Sequence, residues 1–173
     1  MRQYSIDARN IKNPIYPCPI QMGGKNANGQ MLSIGNYYLS LDGKPFFGVC
    51  GEAHFSRMNR ELWEDEIIKM KAGGLNIIAT YIFWIHHEEI EGTFDFSGNK
   101  DLRIFLELCK KNHMYVILRI GPFSHGECRN GGFPDWIYGQ PFDIRCDDPS
   151  YLYYTRRFYE QIYQQAKGLL FKD

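Results

Sequence analysis

Met114-Tyr-Val-Ile-Leu-Arg-Ile-Gly-Pro-Phe-Ser-His-Gly-Glu-Cys-Arg-Asn-Gly-Gly-Phe-Pro-Asp-Trp136 is the stretch on which the fold turns. Met114 to Leu118 is an apolar run that reads as a buried strand. From Arg119 onward the sequence becomes polar, glycine-rich and aromatic. A strand that empties into a long irregular loop is where α/β proteins place their chemistry. This loop carries a carboxylate (Glu127), an imidazole (His125), guanidinium groups at Arg119 and Arg129, and aromatic residues Phe123, Phe133 and Trp136.

Just upstream, Asn99 to Asn112 has Leu102, Phe105, Leu106 and Cys109 at i, i+3, i+4 and i+7, the spacing of a helix with one buried face. Before it, Leu75 to Trp84 is nearly all apolar, which fits a parallel strand covered on both faces. Asn59 to Ala72 reads as another helix, with Asn59 as its cap, Trp63, Ile67 and Met70 as its apolar stripe and Gly73-Gly74 as its end. Downstream, Asp148-Pro149 gives an N-cap followed by proline at the first helical position. That third helix is expected to reach about Leu169, with Thr155, Phe158, Ile162, Tyr163 and Ala166 on one side.

The amino-terminal third is different. Tyr37 to Leu41 alternates, Asp42-Gly43 supplies a two-residue hairpin turn, and Phe46 to Cys50 is the returning strand. Residues 1–35 are polar and interrupted by prolines and glycines, and read as an extended arm. The glycines between Gly23 and Gly29 lack the spacing of a phosphate-binding loop.

The order is therefore strand, helix, strand, helix, strand, helix. Helix-to-strand turns are two or three residues, whereas strand-to-helix loops are long, and loops of that length usually have a function. All three long loops fall at the carboxyl ends of parallel strands. With strands beginning near 46, 75 and 114, a fourth is due just past Asp173. The pattern is that of part of a larger barrel or sheet.

Composition narrows the classes. In 173 residues, Lys+Arg and Asp+Glu balance at 20 each, so there is no electrostatic footprint for nucleic acid or an anionic membrane. No apolar run approaches the roughly 20 residues of a membrane span. The first 22 residues hold no apolar core of a secretory signal, which leaves an internal location or a missing true start. The five cysteines include no CxxC, so neither a disulfide framework nor a structural zinc site is indicated. The aromatic share, 16%, suits either a large core or the stacking of sugar rings.

Several groups could act on a substrate. Glu52, Glu88 and Glu127 all stand just past strand ends. Two carboxylates about 5–5.5 Å or 6.5–9.5 Å apart are what glycoside hydrolysis requires. Such carboxylates could equally anchor loops through Arg57, Arg119 or Arg129. His54, His87 and His125 could converge, but HExxH is absent and no metal is expected. Cys128 beside His125 lacks any cysteine-enzyme signature. Trp84, Phe123, Phe133 and Trp136 could form a stacking platform or pack the loop. Gly131-Gly132 marks a place where backbone comes close to something.

Specific motifs go further. Trp63 with Gly73-Gly-Leu, Thr80-Tyr-Ile-Phe-Trp84, His87-Glu88, Gly92 with Phe94 and Phe96, Leu118-Arg-Ile-Gly-Pro122 and Gly131-Gly-Phe-Pro-Asp-Trp136 occur in an order and spacing that resemble family 35 glycoside hydrolases, the β-galactosidases. The resemblance covers about residues 44–170. It implies an α/β fold: the first three or so βα units of a (β/α)₈ TIM barrel, incomplete in this chain, over residues 36–173. It also implies retaining chemistry on terminal β-galactosides. The family's catalytic glutamates lie at the ends of its fourth and seventh strands, so no catalytic residue is expected here. Glu127 matches a family glutamate, and Tyr81 a family tyrosine, that contact the sugar. Gly126 stands where alanine is common, with its backbone lining the sugar site, and His125 stands beside it. His87-Glu88 matches a structural pair. No cofactor is implied. Members are often secreted, periplasmic or lysosomal, so the compartment stays open. His125 replaces a familiar Asn or Cys, Cys128 a Trp and Ile85 an Asn, which makes "β-glycoside" firmer than galactose. The other reading is a non-catalytic carbohydrate-binding or pseudo-enzyme module. A small, self-contained doubly wound domain is a third.

Overall fold

The computed structural model describes residues 3–5, 7, 14–20 and 22–173. The chain divides into two compact units, Met1–Phe47 with Lys172 and Gly48–Phe171 with Asp173. The first unit holds an antiparallel sheet, β1 (Gly23–Lys25), β2 (Met31–Ile34), β3 (Leu39–Leu41) and β4 (Lys44–Phe46), in that order across the sheet. The stretch expected as an extended arm, residues 1–35, thus contributes two of these strands. Its residues 1–2, 6, 8–13 and 21 lie outside the described residues. The hairpin turn forms as expected: Asp42 and Gly43 both take positive φ, 52° and 74°, between the paired Leu41 and Lys44. The returning strand, however, ends at Phe46. The segment expected to continue it to Cys50 breaks, and Cys50 opens a strand of the second sheet.

That sheet is parallel: β5 (Cys50–Glu52), β6 (Ile77–Tyr81) and β7 (Tyr115–Arg119), with β6 in the centre. Helices α1 (Trp63–Ala72), α3 (Leu102–Lys111) and α4 (Pro149–Ala166) follow β5, β6 and β7 in turn, with α1 packed on α3 and α3 on α4. Trp84–His87 is a single helical turn, α2, so the apolar run from Leu75 is a shorter strand than its composition indicates.

The helical face is the core. Trp63, Ile67, Leu102, Phe105, Leu106, Cys109, Phe158, Ile162 and Ala166 are buried against Ile78 and Ile82. Burial alone pushes the Cys109 thiol up to about 12, so this cysteine packs as an apolar residue. Gly51 is needed because α1 and its exit press on β5: a Cβ there would meet the Met70 methyl at 2.9 Å and collide with Leu75. Tyr163, expected on the buried side of α4, is 44% exposed, and the buried stripe instead begins at Tyr151, one turn before Thr155.

The caps divide. Asp148 accepts from the backbone N–H groups of Ser150 and Tyr151, as expected. Asp101 caps α3 through Ile104 N–H, so the helix expected from Asn99 begins at Leu102 after a 3₁₀ turn, Gly98–Lys100. Asn59 makes no side-chain cap; a 3₁₀ turn, Arg60–Leu62, comes first. The sheet differs most from expectation on its second face. Parallel pairing puts Cys50, Ile77 and Tyr115 on one side with Glu52, Ala79 and Ile117, and then Tyr81 and Arg119. Helices do not cover that side: Tyr115 is 39% and Ile117 49% exposed.

Candidate functional site

The last residues of the three parallel strands are Glu52, Tyr81 and Arg119. They point to the face that the helices leave bare, and their side chains meet there; Tyr81 itself is only 5% exposed. One Arg119 terminal nitrogen donates to the Glu52 carboxylate and the other to the Tyr81 hydroxyl. The Arg119 guanidinium carbon stands 3.6 Å from the centre of the Tyr81 ring, a cation–π contact. His54, in the loop after β5, closes the group. Its Nδ1 accepts from the Tyr81 backbone N–H at 3.3 Å, and its Nε2 lies 3.4 Å from Glu52. Burial lowers the His54 pKa; Glu52 offsets this in part, and Arg57 and Arg119 add to it.

The loop after β7 comes to this group through Gly126. A Cβ on Gly126 would lie 2.8 Å from two atoms of the Phe83 ring and 3.1 Å from the Tyr81 ring. Phe83 has no exposed surface and cannot step aside. The loop therefore touches the end of β6 only because residue 126 lacks a side chain. Glu127 comes next, with φ at +50°, a left-handed backbone unusual for a residue with a Cβ. Arg57 stabilises it there: its guanidinium lies 4.4 Å from the Phe83 ring centre and donates to the Glu127 carbonyl at 3.3 Å. The Glu127 carboxylate is exposed and takes no hydrogen bond among the described residues. It can accept hydrogen bonds but donate none once ionised. His125 is exposed and turns its ring edge-on to Phe123, 4.8 Å between centres.

Gly126 thus abuts Tyr81 and Glu127 is the next residue along the loop, with His125 on the Phe123 side. The other two carboxylates are committed. Glu52 pairs with Arg119, one of the anchors anticipated from sequence. Glu88 is fully buried. It accepts from Trp84 Nε1 at 2.7 Å and Gly92 N–H at 2.8 Å, and pairs with Arg157 of α4. Nothing local in the sequence singles out Arg157: α4 carries Arg156 and Arg157 side by side, and neither names a partner. His87 is also fully buried. It bonds the Asp95 carbonyl through Nδ1 at 3.0 Å and stacks on Phe96 at 4.5 Å.

Among the described residues, no three of His, Cys, Asp and Glu gather as a metal site. The aromatic residues weighed as a platform pack the loop instead. Trp84 stacks on Phe158 at 4.9 Å, Phe133 is fully buried, and Trp136 donates to the Glu88 carbonyl at 2.8 Å. What Gly131 closely approaches is the Phe123 ring, where any Cβ would collide.

Known proteins with related sequences point one way. Beta-galactosidase 11 of Arabidopsis thaliana is 41% identical over 75% of this chain and 15% of its own length. The beta-galactosidase of Homo sapiens is 36% identical over 87% of this chain and 23% of its own. An exo-beta-D-glucosaminidase of Pyrococcus horikoshii is 36% identical over 78% of this chain and 20% of its own. The chain therefore spans less than a quarter of the length of each of these relatives. Among solved structures, an exo-beta-1,4-mannosidase from Opitutaceae bacterium strain TAV5 superposes with a TM-score of 0.58 at 15% identity, over 87% of this chain and 25% of that one. That likeness concerns the fold alone, an α/β arrangement of the glycoside-hydrolase type. The family model for glycosyl hydrolases family 35 matches residues 38–173, and the chain belongs to that family.

Proposed function

We propose that residues 36–173 are the opening portion, about three βα units, of the (β/α)₈ barrel of a retaining β-galactosidase-like glycosidase, with residues 1–35 ahead of it, and that their strand ends bind the galactose ring. In this reading Tyr81 and Glu127 bond the sugar hydroxyls, the Gly126 backbone lines the ring, and His125 stands at the rim. The observation that supports it is the approach of Gly126 to Tyr81 at the end of β6, with Glu127 the next residue along the loop. The names of the relatives support the substrate class, a terminal β-galactoside. Hydroxyl contacts of this kind discriminate well, because a ligand lacking the group leaves a protein partner unpaired.

Hydrolysis needs two carboxylates facing one glycosidic bond. Glu52 and Glu88 are held in ion pairs, and Glu127 is alone. The 173-residue chain is therefore expected to bind a galactoside without cleaving it. The test is titration with methyl β-galactoside followed by NMR, alongside incubation with a chromogenic β-galactoside. Binding weakened about tenfold by Glu127→Gln, as for a lost charge-assisted hydrogen bond, with no colour released, is the expected result. Turnover that Glu127→Gln abolishes would overturn the non-catalytic assignment. A β-glucosaminide bound more tightly than the galactoside would move the glycone toward that of the archaeal relative.

A further inference from the structure

Glu52, Arg119 and Tyr81 do more than fill the ends of the strands. A guanidinium has five N–H donors and no acceptor. Its contact with the Tyr81 hydroxyl can therefore run in one direction only: Arg119 donates and the phenol oxygen accepts. Arg119 is itself held from two sides, by the Glu52 carboxylate and by the Tyr81 ring beneath its guanidinium carbon at 3.6 Å. Glu52 lies 3.4 Å from His54 Nε2, and His54 Nδ1 accepts from the Tyr81 backbone. The contacts form a closed circuit that begins and ends on Tyr81. With its oxygen already accepting, the phenol has its own proton left to offer.

We propose that Arg119 is a positioning residue that fixes Tyr81 as a hydrogen-bond donor, so that the site reads one sugar hydroxyl by its capacity to accept and, at Glu127, others by their capacity to donate. This rests on the assignment of Tyr81 and Glu127 as glycone contacts. Removing Arg119 takes away the donor that holds the phenol oxygen as an acceptor, so the hydroxyl is free to rotate and to accept from the ligand instead, while Glu52 keeps His54 beside it.

Fluorine replaces a hydroxyl as a weak acceptor that cannot donate, which gives the polarity a direct readout. The parent chain is titrated with methyl β-galactoside and with its singly deoxygenated and singly fluorinated analogues. At the position read by Tyr81, the fluorinated analogue is expected to bind about twofold better than the deoxygenated one, the low end of the range for a neutral hydrogen bond. At positions read by Glu127 the two analogues lose equally. Arg119→Met erases the fluorine preference and Arg119→Lys, which still donates, restores it; a role in packing alone would not produce that rescue. If Arg119→Met does not fold, Tyr81→Phe carries the test, because it keeps the ring against His54 and Phe83 and must erase the same preference. Failure of the parent to bind any galactoside overturns the glycone assignment together with this inference. Binding with no fluorine preference at any position, or with a preference that survives either substitution, overturns this inference alone.

Discussion

At the scale of single residues, the loop's footing is set by two buried ionisable groups, and they bear opposite loads. Glu88 is a charge kept inside because three donors surround it: the Trp84 indole, the Gly92 amide and Arg157. His87 is kept inside as a neutral ring. Burial lowers its pKa to about 4, His86 and Lys100 add to the lowering, and Asp95 works the other way through its carbonyl and its charge. The sign of the consequence follows from linkage. Below about pH 6.5 the unfolded chain protonates this histidine while the folded chain does not, so stability falls as pH drops from about 6.5 toward 4. At pH 5 the loss from His87 is about 2 kcal/mol. Burial also lowers the pKa values of His54 and His86, which adds in the same direction. Urea unfolding at pH 7 and pH 5 checks this: His87→Phe should remove most of the difference, and an unchanged difference would assign the slope to other groups.

At the scale of elements, the loop from Arg119 to Asp148 is long yet held at many points. Two 3₁₀ turns, Arg129–Gly132 and Asp135–Gly139, interrupt it, Tyr159 of α4 donates to the Gly121 carbonyl at 2.8 Å, and Trp136 fastens it to the loop after α2. Its approach to β6 depends on Gly126. Gly126→Ala is expected to destabilise the chain by about 1–3 kcal/mol, the cost of overpacking against a fixed ring, and to weaken galactoside binding as Glu127 is carried outward. Thermal melting and the NMR titration measure the two effects, and an alanine variant with unchanged melt and affinity would show that the loop has room to spare. The loop's existence was legible in the sequence because an apolar run gives way to Gly, Pro and charge at Arg119. The register of the helices was legible because Leu102, Phe105, Leu106 and Cys109 repeat at the helical period and all four are buried. The break between Phe46 and Cys50 was not, since the apolar run continues through it and the change of sheet is decided by pairing with Ile77 far along the chain. Arg57 was among the anchors that the sequence offered for a carboxylate, but it takes the Glu127 backbone carbonyl instead, and the grip of Arg157 on Glu88 was not legible. Each joins residues about 70 positions apart, and charge alone names no partner at that distance.

At the scale of the whole molecule, the decisive feature is a sheet with one covered face. Within the unit Gly48–Phe171, α1, α3 and α4 bury the side that carries Ile78, while Cys50, Tyr115 and Ile117 stand on the other. Among the described residues, β5 and β7 each pair on one edge only. An exposed apolar sheet face with two open edges favours association, both through the hydrophobic effect and through unsatisfied backbone groups at the edges. The 173-residue chain is expected to self-associate as its concentration rises and to bind a hydrophobic dye. Ile117 stands mid-strand on this face at 49% exposure, so replacing it with a charge removes much of the patch and little of the packing. Ile117→Lys should lower both association in the ultracentrifuge and dye binding, while the melting temperature stays within about 2 °C of the parent, as for a half-exposed position that loses no more than about 0.5 kcal/mol. A parent chain that stays monomeric at high concentration and leaves the dye dark would mean that this face is already satisfied, and the barrel assignment would lose its physical motive.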